Sequence, residues 1–76
     1  MEIKEFIDNL ANQFDETNMN FFNSETRFRE LEEWSSLIAL NILMMIDEEY
    51  GVALPADEMR KVNTIQELFD LVQSKL

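Results

Sequence analysis

The sequence predicts an all-α domain of three main helices and one short helix, with a long first loop. Apolar residues recur at helical spacing near both ends of the chain. A central run, Leu37 to Tyr50, is rich in apolar residues and free of Gly and Pro. The single glycine, Gly51, and the single proline, Pro55, follow that run, where a helix stop and a helix start are expected.

The first helix is predicted from Glu2 to Phe14. Ile3, Phe6, Ile7, Leu10 and Phe14 share one face, with charged and amide residues opposite. Asp15 and Glu16 then fall at the negative end of the helix dipole, which suits a terminus. From Asp15 to Ser35 the periodicity dissolves. Asn18, Asn20, Asn23 and Ser24 favour turns, and short helical turns are expected within this stretch, especially around Ser24–Phe28. A structureless loop of about twenty residues is uncommon in a small domain. Phe21, Phe22, Phe28 and Leu31 are therefore expected to pin this one to the core.

The second helix is predicted to begin at Ser35–Ser36 and end near Tyr50, a length of roughly 21 Å. Ala39, Ile42, Leu43, Ile46 and Tyr50 form the stripe assigned to the core, while Leu37, Ile38, Leu40, Met44 and Met45 cover much of the remainder. A helix apolar nearly all round is hard to bury fully in a small domain. Some of that surface should stay exposed and mark an interaction site. Pro55 opens a short helix, Ala56 to Lys61, with acids first and bases last. Thr64-Ile65-Gln66-Glu67 fits a capping box, and Ile65, Leu68, Phe69, Val72 and Leu76 make the inward stripe of the last helix.

Composition narrows function before any motif is considered. A chain of 76 residues is expected to form one small domain, 1–76, burying roughly 60% of its unfolded surface. Its 46% hydrophobic content suffices for a core. With no cysteine there is neither a disulfide nor a thiolate zinc site, and with no histidine the usual general base is missing. No nucleophile–base pair or metal cluster can be assembled, so no catalytic residue is assigned and an enzyme is not expected. The formal charge of −10, from 16 acids and 6 bases, disfavours nucleic acid and anionic membranes as partners, and it disfavours tight self-association. A monomer is expected. Glu30 to Glu58 holds eight acids and no Lys or Arg, either a solubilising surface or a docking face for basic partners. No stretch reaches the roughly 20 apolar residues of a membrane span, and the N-terminus lacks a basic-then-apolar signal. A soluble, cytoplasmic protein is expected.

The residues that carry chemistry lie at the start of the second helix, Trp34-Ser35-Ser36-Leu37. A helix N-terminus offers unpaired N–H groups and a positive dipole end, so a phosphate on a serine there would be stabilised. Serines at helix starts are more often simple caps, and Ser35 is the better cap of the two. Spacing alone leaves Ser36 open between a cap and a modified residue.

In this frame the sequence resembles an acyl carrier protein. That family comprises small acidic four-helix domains with a long first loop and a Ser-Leu pair opening the second helix. The likeness runs from Phe28 through Trp34-Ser35-Ser36-Leu37 and Asp47-Glu48-Glu49-Tyr50-Gly51 to Pro55 and Thr64-Ile65. It implies that Ser36, the serine directly before Leu37, carries a 4′-phosphopantetheine arm from coenzyme A, installed by a separate phosphopantetheinyl transferase. The arm's thiol would hold acyl or aminoacyl thioesters and shuttle them between partner enzymes of lipid, fatty-acid, polyketide or related biosynthesis. A prosthetic thiol also accounts for a cysteine-free chain doing thioester chemistry. Leu37, Ile38, Met44, Asp47 and Glu48 are expected to form the docking face for acyl-transferring and acyl-modifying enzymes with basic surfaces. The alternative is an unmodified helical adaptor using the same face on a basic or apolar partner. Two departures stand out. Ser35 replaces the family's usual Asp, and Ile38 and Asn41 stand where fatty-acid carriers are often acidic. The cargo class is not readable from the sequence.

Overall fold

The computed structural model describes residues 1–76 and places four α-helices in the predicted order: α1 Ile3–Ala11, α2 Ser36–Tyr50, α3 Ala56–Met59 and α4 Ile65–Ser74. The helix α1 packs on both α2 and α4. Seventeen apolar residues from all four helices and the connecting segments form one core, which contains no buried polar side chain.

The predicted helix ends are mostly right, and the exceptions have local causes. The first helix stops at Ala11 rather than Phe14, because Gln13 and Phe14 donate their N–H groups three residues back, to Leu10 and Ala11. This tighter turn still buries Phe14. Asp15 and Glu16 therefore lie beyond the helix, in the loop. The loop does contain short helical turns, two 3₁₀ turns at Met19–Phe21 and Phe28–Glu30, whereas Ser24 and Glu25 lie in a turn closed by the Thr26 N–H donating to the Asn23 carbonyl at 3.1 Å. Asn18 caps the first by accepting from the Asn20 N–H at 2.8 Å. The short helix α3 ends at Met59, two residues early, and Leu76 lies beyond α4 and is exposed.

The inward face of α2 is rotated from the expected one. Ile38, Ile42, Met45 and Ile46 are buried, whereas Ala39, Leu43 and Tyr50 are only partly covered. Tyr50 reaches the edge of α1, where its hydroxyl accepts from the Asn9 amide at 2.9 Å. Gly51 ends the helix with φ of +68°, and its N–H donates to the Asp47 carbonyl at 2.9 Å.

The long loop is tied down at both ends of its course. The carbonyls of Ser24 and Thr26 accept from the Gln66 and Ile65 N–H groups, at 2.8 and 3.0 Å. They thereby satisfy first-turn donors of α4 that the helix itself cannot. The capping box adds the rest, with the Thr64 hydroxyl accepting from the Glu67 N–H and the Glu67 carboxylate from the Asn63 and Thr64 N–H groups. Both backbone donors hold the Glu67 carboxyl below its ordinary range.

Candidate attachment site

The start of α2 separates the two serines by role. Ser35 has extended backbone and its hydroxyl accepts from the Ile38 N–H at 3.2 Å, so it is the N-cap. Ser36 is the first helical residue. Its side chain is exposed, and its hydroxyl makes no hydrogen bond within the chain. The N–H groups of Ser36 and Leu37 precede the first intrahelical bonds and find no acceptor in the protein. One free hydroxyl thus sits beside two free N–H groups, with no acid in the first turn of the helix. That surrounding fits a phosphoester on Ser36, and it does not fit one on Ser35.

What precedes the site holds it still. The Glu33 carboxylate accepts from the Thr17 hydroxyl at 2.7 Å and from the N–H groups of Asp15, Glu16 and Thr17 at 2.6, 3.0 and 2.9 Å. Three consecutive backbone donors and a hydroxyl thereby clamp the loop after α1 to the segment before α2. The Thr17 hydroxyl, aided by the backbone donors and opposed by partial desolvation, holds the Glu33 carboxyl below its ordinary range. Trp34 follows at once, its ring 5.6 Å from that of Phe28 and 6.4 Å from that of Phe14.

A carboxyl depressed in the folded state stabilises it above the unfolded pKa and loses that contribution as pH falls through the folded value. The clamp should therefore hold at neutral pH and open only as pH falls through the lowered Glu33 value, below the ordinary carboxylate range. Trp34 fluorescence should stay flat down to that point and then change. Glu33→Gln should remove most of this acid transition and perturb Trp34 already at pH 7. A pH profile identical in the variant would show that Glu33 does not hold the loop.

The expected docking residues fall into two groups. Leu37 and Met44 are exposed, at 66% and 51%, and Asp47 and Glu48 lie on the open surface one to three turns further along. Ile38 does not join them. It is only 7% exposed and packs into the core, because the inward face of α2 includes it. Leu40, 53% exposed, takes its place and completes a ridge of Leu37, Leu40 and Met44 at helical spacing. That spacing was present in the sequence, but so was the competing stripe through Ala39. Asp47, Glu48 and Glu49 do not converge with any other carboxylate into a metal-binding group.

Beside the ridge a groove of about 360 Å³ runs between α2 and α3, with Ser36 and Trp34 at its edge and Leu40, Leu43 and Met59 along its walls. Arg29 and Arg60 also line it; neither belongs to the second helix, so no local pattern pointed to them.

A family model described as a phosphopantetheine attachment site matches residues 5–72. Curated relatives named acyl carrier protein include those of Thermosynechococcus vestitus, 33% identical over 52 residues, and Rubrobacter xylanophilus, 35% identical over 48 residues. The Rickettsia canadensis protein is 27% identical over 56 residues. These alignments cover 68%, 63% and 74% of this chain, and 64%, 59% and 65% of the respective relatives. The chain thus spans less than two thirds of the length of the curated relatives it matches. No solved structure matches it significantly. With a family match across nearly its whole length, this chain belongs to the acyl carrier protein family, whose attachment-site model implies a covalently held 4′-phosphopantetheine.

Proposed function

We propose that residues 1–76 form one carrier domain in which Ser36 is esterified by 4′-phosphopantetheine from coenzyme A, through a separate phosphopantetheinyl transferase. The arm's thiol supplies the thioester chemistry, on acyl or aminoacyl cargo moving between biosynthetic enzymes. The observation that carries this is the division of labour between the serines: Ser35 is committed to the cap, while Ser36 presents an unbonded hydroxyl next to free N–H donors. The chain's own contribution is to expose that oxygen, aim it from a rigid helix start and stabilise the phosphate negative charge once it is there. Intact mass of the purified protein, before and after incubation with coenzyme A, magnesium and a broad-specificity transferase, tests the proposal. A gain of one phosphopantetheine is expected. No gain with several transferases would favour the unmodified adaptor.

Docking is assigned to the Leu37–Leu40–Met44 ridge with Asp47 and Glu48 beyond it. The ridge is apolar where the helix starts and acidic only near its end, so partner recognition should combine apolar burial with charge. Leu40→Glu should lower the transferase kcat/KM by about tenfold, equivalent to about 1.4 kcal/mol. Helicity by circular dichroism should be unchanged. An undiminished rate would move the docking face off this ridge.

A further inference from the structure

We propose that Arg29 and Arg60 form a seat for the phosphodiester that joins the arm to Ser36, so that the first part of the arm lies down in the groove between α2 and α3. This rests on Ser36 being the attachment residue. The chain carries 16 acids and only 6 bases, yet three of the bases form no ion pair with a carboxylate. The ion pairs are Lys4–Asp8, Arg27–Glu30 and Lys75–Glu58. Arg29, Arg60 and Lys61 have none, and of these only the two arginines line the groove. Glu30 pairs with Arg27 and Glu58 with Lys75 instead. Two arginines without a carboxylate partner therefore line the groove that Ser36 also lines.

The two arginines are not equivalent. Arg29 is held in place, its Nη1 donating to the Arg60 carbonyl at 2.6 Å and its Nη2 to the Val62 carbonyl at 2.6 Å and to Asn63 Oδ1 at 2.7 Å. All three acceptors are neutral, so the positive charge stays available. Of the five guanidinium N–H groups, the Nε–H and one on Nη1 remain uncommitted. A guanidinium already fixed loses little freedom when it gains an anion. Arg60 has its backbone carbonyl anchored by Arg29 while its side chain is exposed and unpaired, so it can swing over the groove.

The tether decides which anion is seated. A phosphate on Ser36 is confined to the edge of this groove and experiences a high effective concentration of both guanidiniums. A charged group at the far end of the arm does not. A volume of about 360 Å³ admits the phosphate and the start of the arm, near the lower limit of ligand sites.

The test uses holo protein whose loading is verified by mass. On loading, the side-chain Nε–H signals of Arg29 and Arg60 should shift in nitrogen-resolved NMR. The phosphodiester ³¹P resonance should move between wild type and Arg60→Gln, return partway in Arg60→Lys, and lose this difference at about 1 M salt, where the Debye length is about 3 Å. Thermal melts check that both variants fold. Arg signals that do not move on loading, with ³¹P resonances identical in wild type and Arg60→Gln, would overturn the seat while leaving the attachment intact. Shifts seen only with a carboxylate-bearing cargo such as a malonyl thioester, and not with the bare arm, would also overturn it and assign the pair to cargo. Absence of any mass gain would remove the attachment and the seat together, in a separate readout.

Discussion

Ser36→Ala should abolish phosphopantetheine attachment completely and leave the domain folded, whereas Ser35→Ala should stay modifiable and lose stability. The two outcomes separate because neighbouring hydroxyls do different work. The Ser35 oxygen accepts from the Ile38 N–H, and removing an N-cap of this kind costs about 1 kcal/mol. For a domain of this size that is a fall in Tm of roughly 4–8 °C. The first turn of α2 then frays more often, so Ser35→Ala should be modified more slowly but to completion. Ser36 makes no bond to lose, and alanine is at least as good a helix former. Its replacement should leave Tm nearly unchanged. Intact mass and a thermal melt on each variant decide the matter. Modification lost in Ser35→Ala and kept in Ser36→Ala would reverse the assignment, and a large fall in Tm for Ser36→Ala would make Ser36 a structural residue.

Phe28→Ala should bring the domain close to unfolding, while Phe21→Ala should be nearly neutral. Phe28 has no exposed surface and stacks edge-on against Trp34. Emptying such a site costs about 3–5 kcal/mol. A chain of 76 residues has a total stability of about 4–11 kcal/mol at the usual value per residue. The loss also strikes the loop at its anchor, because Phe28 opens the 3₁₀ turn that leads through Leu31 and Glu33 to the attachment site. Phe21 is 63% exposed and touches the core little, so its truncation should stay within about 0.5 kcal/mol. Urea unfolding followed by Trp34 fluorescence compares the two directly. Equal effects would mean that the loop is not anchored as described.

These paired variants mark where local information ended. The helices were legible because their signals are local: a 3.6-residue apolar period in α1 and α4, one glycine able to take a left-handed φ, one proline before α3, and the Thr64–Glu67 box. Such features are settled by residues within a turn or two of each other. The same holds for the serine pair, since an N-cap and the residue after it are defined by the helix they begin.

The rotation of α2 was not legible. Its apolar residues spread round the helix, so the sequence offered several stripes of comparable merit, and only packing into the shared core chose the one through Ile38, Met45 and Ile46. That choice moved Ile38 inward and left Leu40 outside. The loop was equally silent about Phe21 and Phe28, two residues of one type in a segment without period. Its clamp joins Glu33 to Asp15–Thr17 across sixteen to eighteen positions, and Arg29 reaches Arg60–Asn63 across more than thirty. Chain order alone was enough for four helices, most of their ends and Ser35 as the better cap of the serine pair. The tertiary structure alone decided which α2 face is free, which loop aromatic is an anchor and which cations stand beside the site, because burial and charge proximity depend on distances that chain order does not encode.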